Sequence, residues 1–466
     1  MENESLEEVN KDKRRGISRR DFLGGAAAAA AFTIVPRHVL GGPGYKPPSE
    51  KLNVAGVGIG GMGRNDIRRI GDENIVALCD VDEKYAAEVF NKYPKAKKYR
   101  DFRRMLEKQK DIDAVIVATP DHNHAVVAMA AIKMGKHVYC EKPLTYCISE
   151  ARKLTEAARQ AKVATQMGIQ GHSGEGIRLI CEWIWAGAIG PVRQVQVWTN
   201  RPTWRQGIDR PKETPPVPAT LDWDLWLGPA PYRPYNPVYL PFNWRAWRDF
   251  GTGSLGDMAC HIIDPVFWAM KLGHPTSIEA TYAKMCLRTD PMVAPEYRGI
   301  DETYPLASII HYEFPARQDM PAVKMTWYDG GLIPPRPEEL EPGRRMGGDD
   351  GGVLFIGDKG KIMCGCYGEH PRLIPEAKMQ QYERPAKTIP RIEQGHWRNW
   401  IQACKGGEPA GSNFDYAGPL TEVVLLGNVA ILAGEKLYWD GANMKVTNVP
   451  EANEYLHRQY RQGWTL

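Results

Sequence analysis

The stretch that decides the fold reads Leu52-Asn53-Val54-Ala55-Gly56-Val57-Gly58-Ile59-Gly60-Gly61, a short apolar run that leads into closely spaced glycines. Gly56, Gly58 and Gly61 fit the pattern G-x-G-x-x-G, and a helical pattern follows from Met62 to Ile70. In such a turn the first glycine permits the bend, the second lets a pyrophosphate approach the backbone, and the third lets the helix pack on the strand. Unpaired N–H groups at the helix start would face the phosphates. We therefore predict that these glycines and Met62 bind a dinucleotide.

A second apolar run, Ile75 to Cys79, ends at Asp80, about twenty residues beyond the glycines. A carboxylate at this point accepts hydrogen bonds from the ribose hydroxyls and repels a 2′-phosphate, so Asp80 favours NAD over NADP. Two alternatives stay open. In the first, Asp80 caps the next helix instead of contacting the ribose. In the second, Arg64 or a downstream lysine accepts the 2′-phosphate, and the cofactor is NADP.

Strand and helix patterns continue to alternate up to about residue 169. The buried strand pattern of 114–118 is followed by the turn Thr119-Pro120-Asp121-His122-Asn123-His124, which opens an Ala-rich helix. A turn at the carboxyl end of a parallel strand lies beside the cofactor, so Thr119, Pro120, His122 and His124 are predicted cofactor contacts. Two histidines so close together would also suggest a metal ion, an interpretation that their position disfavours. The next strand pattern, 137–140, ends at Glu141-Lys142-Pro143.

The glycine turn, Asp80, the 119–124 turn and Glu141-Lys142-Pro143 together resemble the glucose-fructose oxidoreductase / inositol dehydrogenase / rhizopine-catabolism (Gfo/Idh/MocA) family. The resemblance begins near Lys51 and is stronger in the N-terminal half. It implies an α/β protein in which a Rossmann dinucleotide-binding domain precedes an α/β domain with a large, mostly antiparallel sheet. That sheet would hold the substrate and carry oligomerisation on its other face. We place the cofactor domain at 49–169 and the substrate domain at 170–466, after a signal and linker at 1–48.

The same resemblance assigns a catalytic role to Lys142 and a cofactor contact to Glu141 and Lys142. It implies that Lys142 lies beside the nicotinamide and hydrogen-bonds the reacting oxygen. A fixed ammonium group polarises a carbonyl and stabilises alkoxide character while a hydride moves. Because X–Pro bonds in tight functional turns are sometimes cis, we also predict a cis bond between Lys142 and Pro143.

The run Gly251 to Asp264 carries the most informative residues of the second half. Asp257 and His261 are four residues apart, a spacing that places both side chains on one face of a helix. Inositol-dehydrogenase-like members of the family carry Asp-x-x-x-His here, which implies that His261 is the acid/base and that Asp257 lies beside the substrate. An imidazole titrates near neutral pH, so it can take an alcohol proton while a hydride leaves the same carbon. No third ligand has convincing spacing, so no metal is predicted.

The segment Arg201 to Arg248 is long, braced by prolines and rich in Trp and Tyr. A loop of this length within a domain is usually functional, and aromatic faces pack well against the C–H faces of sugars. Trp204 and Trp244 are therefore candidate substrate contacts, and His172 is a third candidate. The alternative is that most of these rings form a local core.

The N-terminus resembles a twin-arginine export signal, with Arg19 and Arg20 followed by Phe-Leu and an Ala/Gly-rich stretch to Val35. We therefore predict a periplasmic protein that is exported folded, with its cofactor loaded, by the twin-arginine machinery.

Beyond this segment no uncharged apolar run approaches the roughly 18 residues of a membrane span. A net charge of +4 over 466 residues with 43% hydrophobic and 25% charged residues indicates a globular protein and disfavours nucleic acid as partner.

The predicted activity is an NAD(P)-dependent oxidoreductase that moves a hydride between nicotinamide and a secondary hydroxyl of a sugar, glycoside or cyclitol. Outside the inner membrane soluble NAD is not dependable, so the cofactor would be tightly bound. Two alternatives remain open. One is redox-neutral glycoside cleavage or epimerisation through a transient keto sugar, and the other is a non-catalytic dinucleotide- or sugar-binding protein. A homo-oligomer is expected from the family resemblance.

Overall fold

Six parallel strands form the N-terminal sheet of the computed structural model, which describes residues 50–287, 290–292, 296–298 and 301–466. The predicted export signal and linker lie outside the described residues. The strand order is β3-β2-β1-β4-β5-β6, so the direction in which strands are added reverses between β1 and β4. The strands are β1 (Asn53–Val57), β2 (Asn74–Cys79), β3 (Lys97–Tyr99), β4 (Ala114–Val117), β5 (His137–Cys140) and β6 (Thr165–Met167). This is the order of a doubly wound dinucleotide-binding sheet, and it confirms the Rossmann prediction.

Helices connect these strands and cover the sheet. They are α1 (Met62–Arg69), α2 (Ala87–Lys92), α3 (Phe102–Lys108), α4 (Asp121–Lys133) and α5 (Ile148–Ala161). All four residues of β4 are buried, which explains why that strand reads as a continuous apolar run rather than an alternating one. Val57 pairs with Val117 at the ends of β1 and β4. The glycine turn and the 119–124 turn therefore leave the sheet side by side at its carboxyl edge.

A nine-stranded sheet forms the second half, in the order β15-β14-β13-β7-β12-β11-β8-β16-β17. Only β7 and β12 are parallel neighbours, so the sheet is mostly antiparallel, as predicted. Its strands are β7 (Val192–Thr199), β8 (Ser277–Tyr282), β11 (Ser308–Phe314), β12 (Val323–Tyr328), β13 (Gly351–Gly357), β14 (Gly360–Gly365), β15 (Arg372–Ile374), β16 (Leu437–Asp440) and β17 (Lys445–Val446). A separate short pair consists of β9 (Met285–Leu287) and β10 (Glu296–Arg298).

The second half also carries seven α-helices among the described residues. They are α6 (Glu175–Trp185), α7 (Trp223–Leu227), α8 (Cys260–Ile262), α9 (Asp264–Ala269), α10 (Glu376–Gln381), α11 (His396–Cys404) and α12 (Phe414–Ala433). Helix α12 has 20 residues and a mean hydropathy of 1.5, enough by length and composition to cross a membrane. However, 78% of its apolar window is buried inside the protein, where it packs on α5 and β8. Its composition is that of a helix surrounded by core.

Candidate active site

The glycine turn has the geometry that a bound pyrophosphate requires. Gly58 has φ +78°, and a Cβ atom there would lie 2.7 Å from the backbone of Ala118 and Thr119. A Cβ at Gly56 would meet the side chain of Ile67 on α1 at 2.8 Å, so this glycine lets the helix pack on β1. Gly61, the N-cap of α1, has no side chain to bond the first N–H groups of the helix, although the N–H of Arg64 donates to the Gly61 oxygen at 3.2 Å. The turn therefore fits a dinucleotide.

Asp80 faces this turn from the end of β2. Its Oδ2 accepts hydrogen bonds from the N–H groups of Ile59 at 2.8 Å and Gly60 at 3.1 Å. Burial raises the pKa of Asp80 to about 6, although its backbone hydrogen bonds oppose that rise. The helix-capping alternative for Asp80 is wrong, because α2 begins only at Ala87 with Ala86 as its N-cap. Asp80 is thus a carboxylate beside the glycine turn, where a ribose would lie.

One cavity of about 710 Å³ joins the glycine turn to the residues predicted for catalysis. Gly58, Gly61 and Asp80 line one part of it, and Lys142 and His261 line another. The other predicted residues in the same lining are Met62, Thr119, Pro120, His124, Glu141, Trp244 and Asp257. The chain therefore brings the cofactor signature and the proposed catalytic groups into a single cleft.

Lys142 is held at the centre of a charged cluster. Its Nζ donates hydrogen bonds to the main-chain oxygen of Asp257 at 2.5 Å and to Asp257 Oδ1 at 2.9 Å. Arg245 Nε also donates to Asp257 Oδ1, at 2.9 Å, and Arg201 Nε lies 3.6 Å from Asp257 Oδ2. Burial alone would raise the pKa of Asp257, but the charges of Lys142 and Arg245 outweigh it and lower the pKa well below its usual range. Asp257 is therefore a permanent anion that fixes the ammonium group. The peptide bond between Lys142 and Pro143 is cis, as predicted.

His261 lies buried in the same cleft, with its ring edge-on to Tyr367 at a centroid distance of 4.8 Å. Its Nδ1 is shielded from solvent and has no hydrogen-bond partner among the described residues, which leaves Nε2 for a ligand. Burial, followed by the charge of Lys142, lowers the pKa of His261 well below its usual value. The imidazole is therefore neutral at pH 7. Within the described chain no hydrogen bond joins it to Asp257, so Asp257 orients Lys142 rather than His261.

The helix that carries Asp257 and His261 is not regular. Residues Leu255–Ala259 form a π-helical turn, and an α-helical turn, Cys260–Ile262, follows. The sequence spacing predicted an ordinary helix with both side chains on one face. Such π-helical turns occur frequently at functional sites because they re-aim side chains. Here the irregular turn places Asp257 against Lys142, while His261 lies against Tyr367.

Two more buried carboxyl groups line the cleft. Thr252 Oγ1 donates a hydrogen bond to Asp121 Oδ2 at 2.5 Å, and Gln170 Nε2 donates to Glu141 Oε1 at 3.1 Å. Burial is the main cause that raises the pKa of each carboxyl to about 7. Both groups therefore titrate near neutral pH, unlike Asp257.

Sequence reasoning missed four residues that belong to this cleft: Asp121, Arg201, Arg245 and Tyr367. Asp121 lies inside the turn that was already singled out, and Arg245 directly follows the candidate Trp244. In the sequence, only these neighbouring residues pointed to a role for Asp121 and Arg245. Contacts across more than a hundred residues of chain, such as Tyr367 with His261, have no local sequence pattern.

Four predicted ligand contacts lie outside the cavity lining: Gly56, which lets α1 pack on β1, and the side chains of His122, His172 and Trp204. The neutral His122 ring can donate from Nδ1 to the main-chain oxygen of Phe250 at 3.0 Å and accept at Nε2 from Asn123 Nδ2 at 3.0 Å. His172 Nδ1 pairs with Asp264 at 2.9 Å, so the imidazole is held away from the cleft. Trp204 is buried in the aromatic cluster of the 201–248 segment. Each of these three side chains contacts protein groups, which corrects the ligand-contact prediction for His122, His172 and Trp204.

The remaining histidine of the turn connects two cleft segments. His124 Nδ1 lies 2.7 Å from the main-chain oxygen of Pro143, and its Nε2 lies 2.8 Å from that of Thr119. Burial lowers the pKa of His124 to about 4, so the ring is neutral. It holds the segment that carries Lys142 against the end of β4. No group of three or more His, Cys, Asp or Glu side chains that could hold a metal is found in the part of the chain that is described.

Comparison with known proteins finds matches for both halves of the chain. The Gfo/Idh/MocA family model for an NAD-binding Rossmann fold matches residues 52–169, and the model for that family's C-terminal α/β domain matches residues 192–306. Levoglucosan dehydrogenase of Pseudarthrobacter phenanthrenivorans is 27% identical over 188 residues, 40% of this chain and 40% of that protein. Inositol 2-dehydrogenase of Salmonella paratyphi B is 32% identical over 140 residues, 29% of this chain and 41% of that protein.

The match therefore spans less than half the length of these two curated relatives. A solved structure, the WlbA dehydrogenase from Bordetella pertussis in complex with NADH and UDP-GlcNAcA, superimposes with a TM-score of 0.57. It is 16% identical, and the superposition covers 84% of this chain and 99% of that one. At this identity the likeness supports the fold alone.

Proposed function

Because the chain belongs to the Gfo/Idh/MocA oxidoreductase family, we propose that it transfers a hydride between NAD and a secondary hydroxyl of a sugar, glycoside or cyclitol. NAD is the cofactor, since the N-terminal match is to an NAD-binding Rossmann fold. Relatives named as inositol and levoglucosan dehydrogenases support the substrate class. The observation that carries the proposal is the single cleft shared by the glycine turn, Lys142 and His261.

The residues of the chain divide the chemistry between them. When bound, NAD supplies the nicotinamide carbon that accepts the hydride. The phosphates would lie on the glycine turn and the start of α1, and the ribose beside Asp80. Lys142 holds the reacting oxygen and stabilises negative charge on it, because Asp257 fixes the ammonium group in the cleft. A neutral His261 with its hydrogen on Nδ1 accepts the hydroxyl proton at Nε2.

Redox-neutral cleavage or epimerisation would use the same Lys142 and His261, so product analysis decides between it and net oxidation. The test starts with dialysed protein that is denatured and assayed by mass for retained NAD(H) or NADP(H). The protein is then supplied with sugars, glycosides and cyclitols, first without and then with added NAD. We expect substrate-dependent NADH formation, or turnover of a glycoside without added cofactor. Protein that binds NAD but turns over no member of the panel would favour the binding-protein alternative.

We further propose that the protein is exported through the twin-arginine route and works as a homo-oligomer. Arg19, Arg20 and the following Ala/Gly-rich stretch support export, and the family resemblance supports assembly through the nine-stranded sheet. Fractionation of cells that express the full chain should place the protein outside the inner membrane. Replacing Arg19 and Arg20 with Lys should leave it in the cytoplasm. A monomer mass by light scattering would contradict the assembly.

A further inference from the structure

The substrate end of the cleft carries more fixed positive than negative charge. Lys142, Arg201 and Arg245 meet there, with side chains only 14%, 18% and 19% exposed. Two carboxylates face them: Asp257 contacts all three cations, and Asp350 pairs with Arg201 at 3.0 Å. Three cations therefore face two carboxylates, and one cation lacks a counter-charge. A charge this poorly solvated is costly unless it is paired.

Asp121 does not supply the missing charge in full. Its carboxyl lines the same cleft, but burial raises its pKa to about 7, so it is only partly ionised at neutral pH. Glu141 has its pKa raised to about 7 for the same reason. Both carboxyls can therefore be protonated at neutral pH, which would leave the three cations with only Asp257 and Asp350 and make room for an anionic ligand group.

Both arginines also keep N–H groups that are not hydrogen-bonded to other described residues. Arg245 uses Nε for Asp257 and Nη1 for the main-chain oxygen of Phe242, and Arg201 uses Nη1 for Asp350. Among the described residues neither Nη2 group has a hydrogen-bond partner. Both arginines line the cleft, so both Nη2 groups are candidates to bind a ligand there.

Arg245 is also fixed in place. Its guanidinium lies over the ring of Trp244 at 4.2 Å and over that of Phe242 at 4.4 Å. A guanidinium immobilised in this way loses little side-chain entropy when it binds a ligand. Its planar fork matches the two oxygens of a carboxylate better than a hydroxyl group does.

We propose that Arg201 and Arg245 form a carboxylate subsite and that the substrate is an acidic sugar, such as a uronate or aldonate. This inference rests on the proposed function and narrows its substrate class. The carboxylate would bind the two guanidinium groups, while the reacting hydroxyl of the same molecule reaches Lys142 and His261. The diphosphate of NAD is the other anion available to these arginines, and the experiment separates the two.

The test measures binding and turnover on the full chain loaded with NAD. Glucuronate is compared with glucuronamide, its neutral isostere, and galacturonate with galactose, by calorimetry and by NADH formation. We expect the acid of at least one pair to bind about tenfold or more tightly than its neutral partner. Arg201→Gln and Arg245→Gln should each lower the ratio of acid affinity to neutral-partner affinity by about tenfold. Arg201→Lys and Arg245→Lys should lower it less, because a positive charge remains although the planar guanidinium is lost. Arg104→Gln, an exposed arginine paired with Glu107 outside the cleft, is the matched control and should leave the ratio unchanged.

Each other outcome has one meaning. Equal binding of acid and neutral partners, or no binding of any, overturns the carboxylate subsite. If neutral sugars are turned over, the hydride-transfer function nevertheless stands. If both glutamine variants lose NAD affinity while the acid-to-neutral ratio persists, the arginines serve the cofactor diphosphate, and the subsite is overturned. If acids bind tightly but no sugar is turned over, the subsite stands and the proposed catalysis fails.

Discussion

Replacing Lys142 with Met is expected to lower kcat by about a thousandfold while NAD affinity changes little. The ammonium group of Lys142 lines the cleft near His261 and Asp257, and it would stabilise the developing negative charge on the reacting oxygen. The variant should fold, because Asp257 keeps Arg245 at 2.9 Å and Arg201 at 3.6 Å after the ammonium group is removed. Steady-state kinetics and titration with NAD measure the two effects separately.

The matched control is Lys324→Met, which removes an ammonium group that is 74% exposed on β12 and does not line the active-site cleft. It should leave kcat unchanged. A Lys142→Met enzyme with a normal rate would remove this residue from the mechanism. Loss of NAD binding in the same variant would instead mean that Lys142 is a cofactor contact only.

His261→Gln should lower kcat by about a hundredfold or more, since it removes the proposed proton acceptor but keeps a polar side chain of similar size. The pH profile adds a readout that a structural role would not change. The pKa of His261 is depressed, so its base form predominates above that lowered value. Oxidation should therefore persist as the pH falls below the usual histidine range.

Any change in rate near pH 7 should instead come from Asp121 or Glu141, whose pKa values are raised to about 7. Asp121→Asn should then alter that part of the profile, whereas His261→Gln should not. The same carboxyls affect stability. The pKa of each carboxyl is higher in the folded protein than in the unfolded chain. Each protonated carboxyl therefore stabilises the fold at low pH, and this contribution is lost as the pH rises through about 7. A step in the pH–rate profile near pH 7 that vanishes only in His261→Gln would contradict the assignment of that step to Asp121 or Glu141.

The sequence predicted those features of the site that depend on local pattern. The glycines, Asp80 and Lys142 follow β1, β2 and β5, and parallel strands necessarily bring their carboxyl ends to one edge. The features that it missed depend on contacts between distant segments. Arg201 and Arg245 come from a long irregular loop, and nothing in their neighbours indicates that both reach Asp257.

The wrong predictions have a physical cause as well. His122 and His172 are residue types that suggest ligands, yet both are buried and bind protein groups, His122 through both ring nitrogens and His172 through Nδ1. Buried polar side chains must be satisfied, and a sequence does not say whether main chain or ligand satisfies them. The π-helical turn at 255–259 is similarly invisible, because its residues are ordinary helix formers or glycine.

Gly58→Ala is expected to cost about 3 kcal/mol or more of folding stability and to abolish measurable NAD binding in the protein that still folds. The new Cβ would lie 2.7 Å from the main chain of Ala118 and Thr119, and these backbone atoms directly follow the buried strand β4, so they cannot move aside cheaply. Separating β1 from β4 to relieve the contact would also displace the N–H groups on which the phosphates are proposed to lie. Denaturant unfolding and NAD titration measure the two losses.

Gly135→Ala is the matched control because it separates backbone strain from steric contact. Gly135 has φ +70°, close to the +78° of Gly58, but a Cβ atom there would meet nothing within 4 Å. This variant should cost only the roughly 1–2 kcal/mol of a left-handed alanine and should keep NAD binding. Equal losses in the two variants would mean that the positive φ alone makes Gly58 necessary. A larger loss at Gly58, accompanied by loss of NAD, assigns the difference to the close approach of β1 and β4 beneath the cofactor.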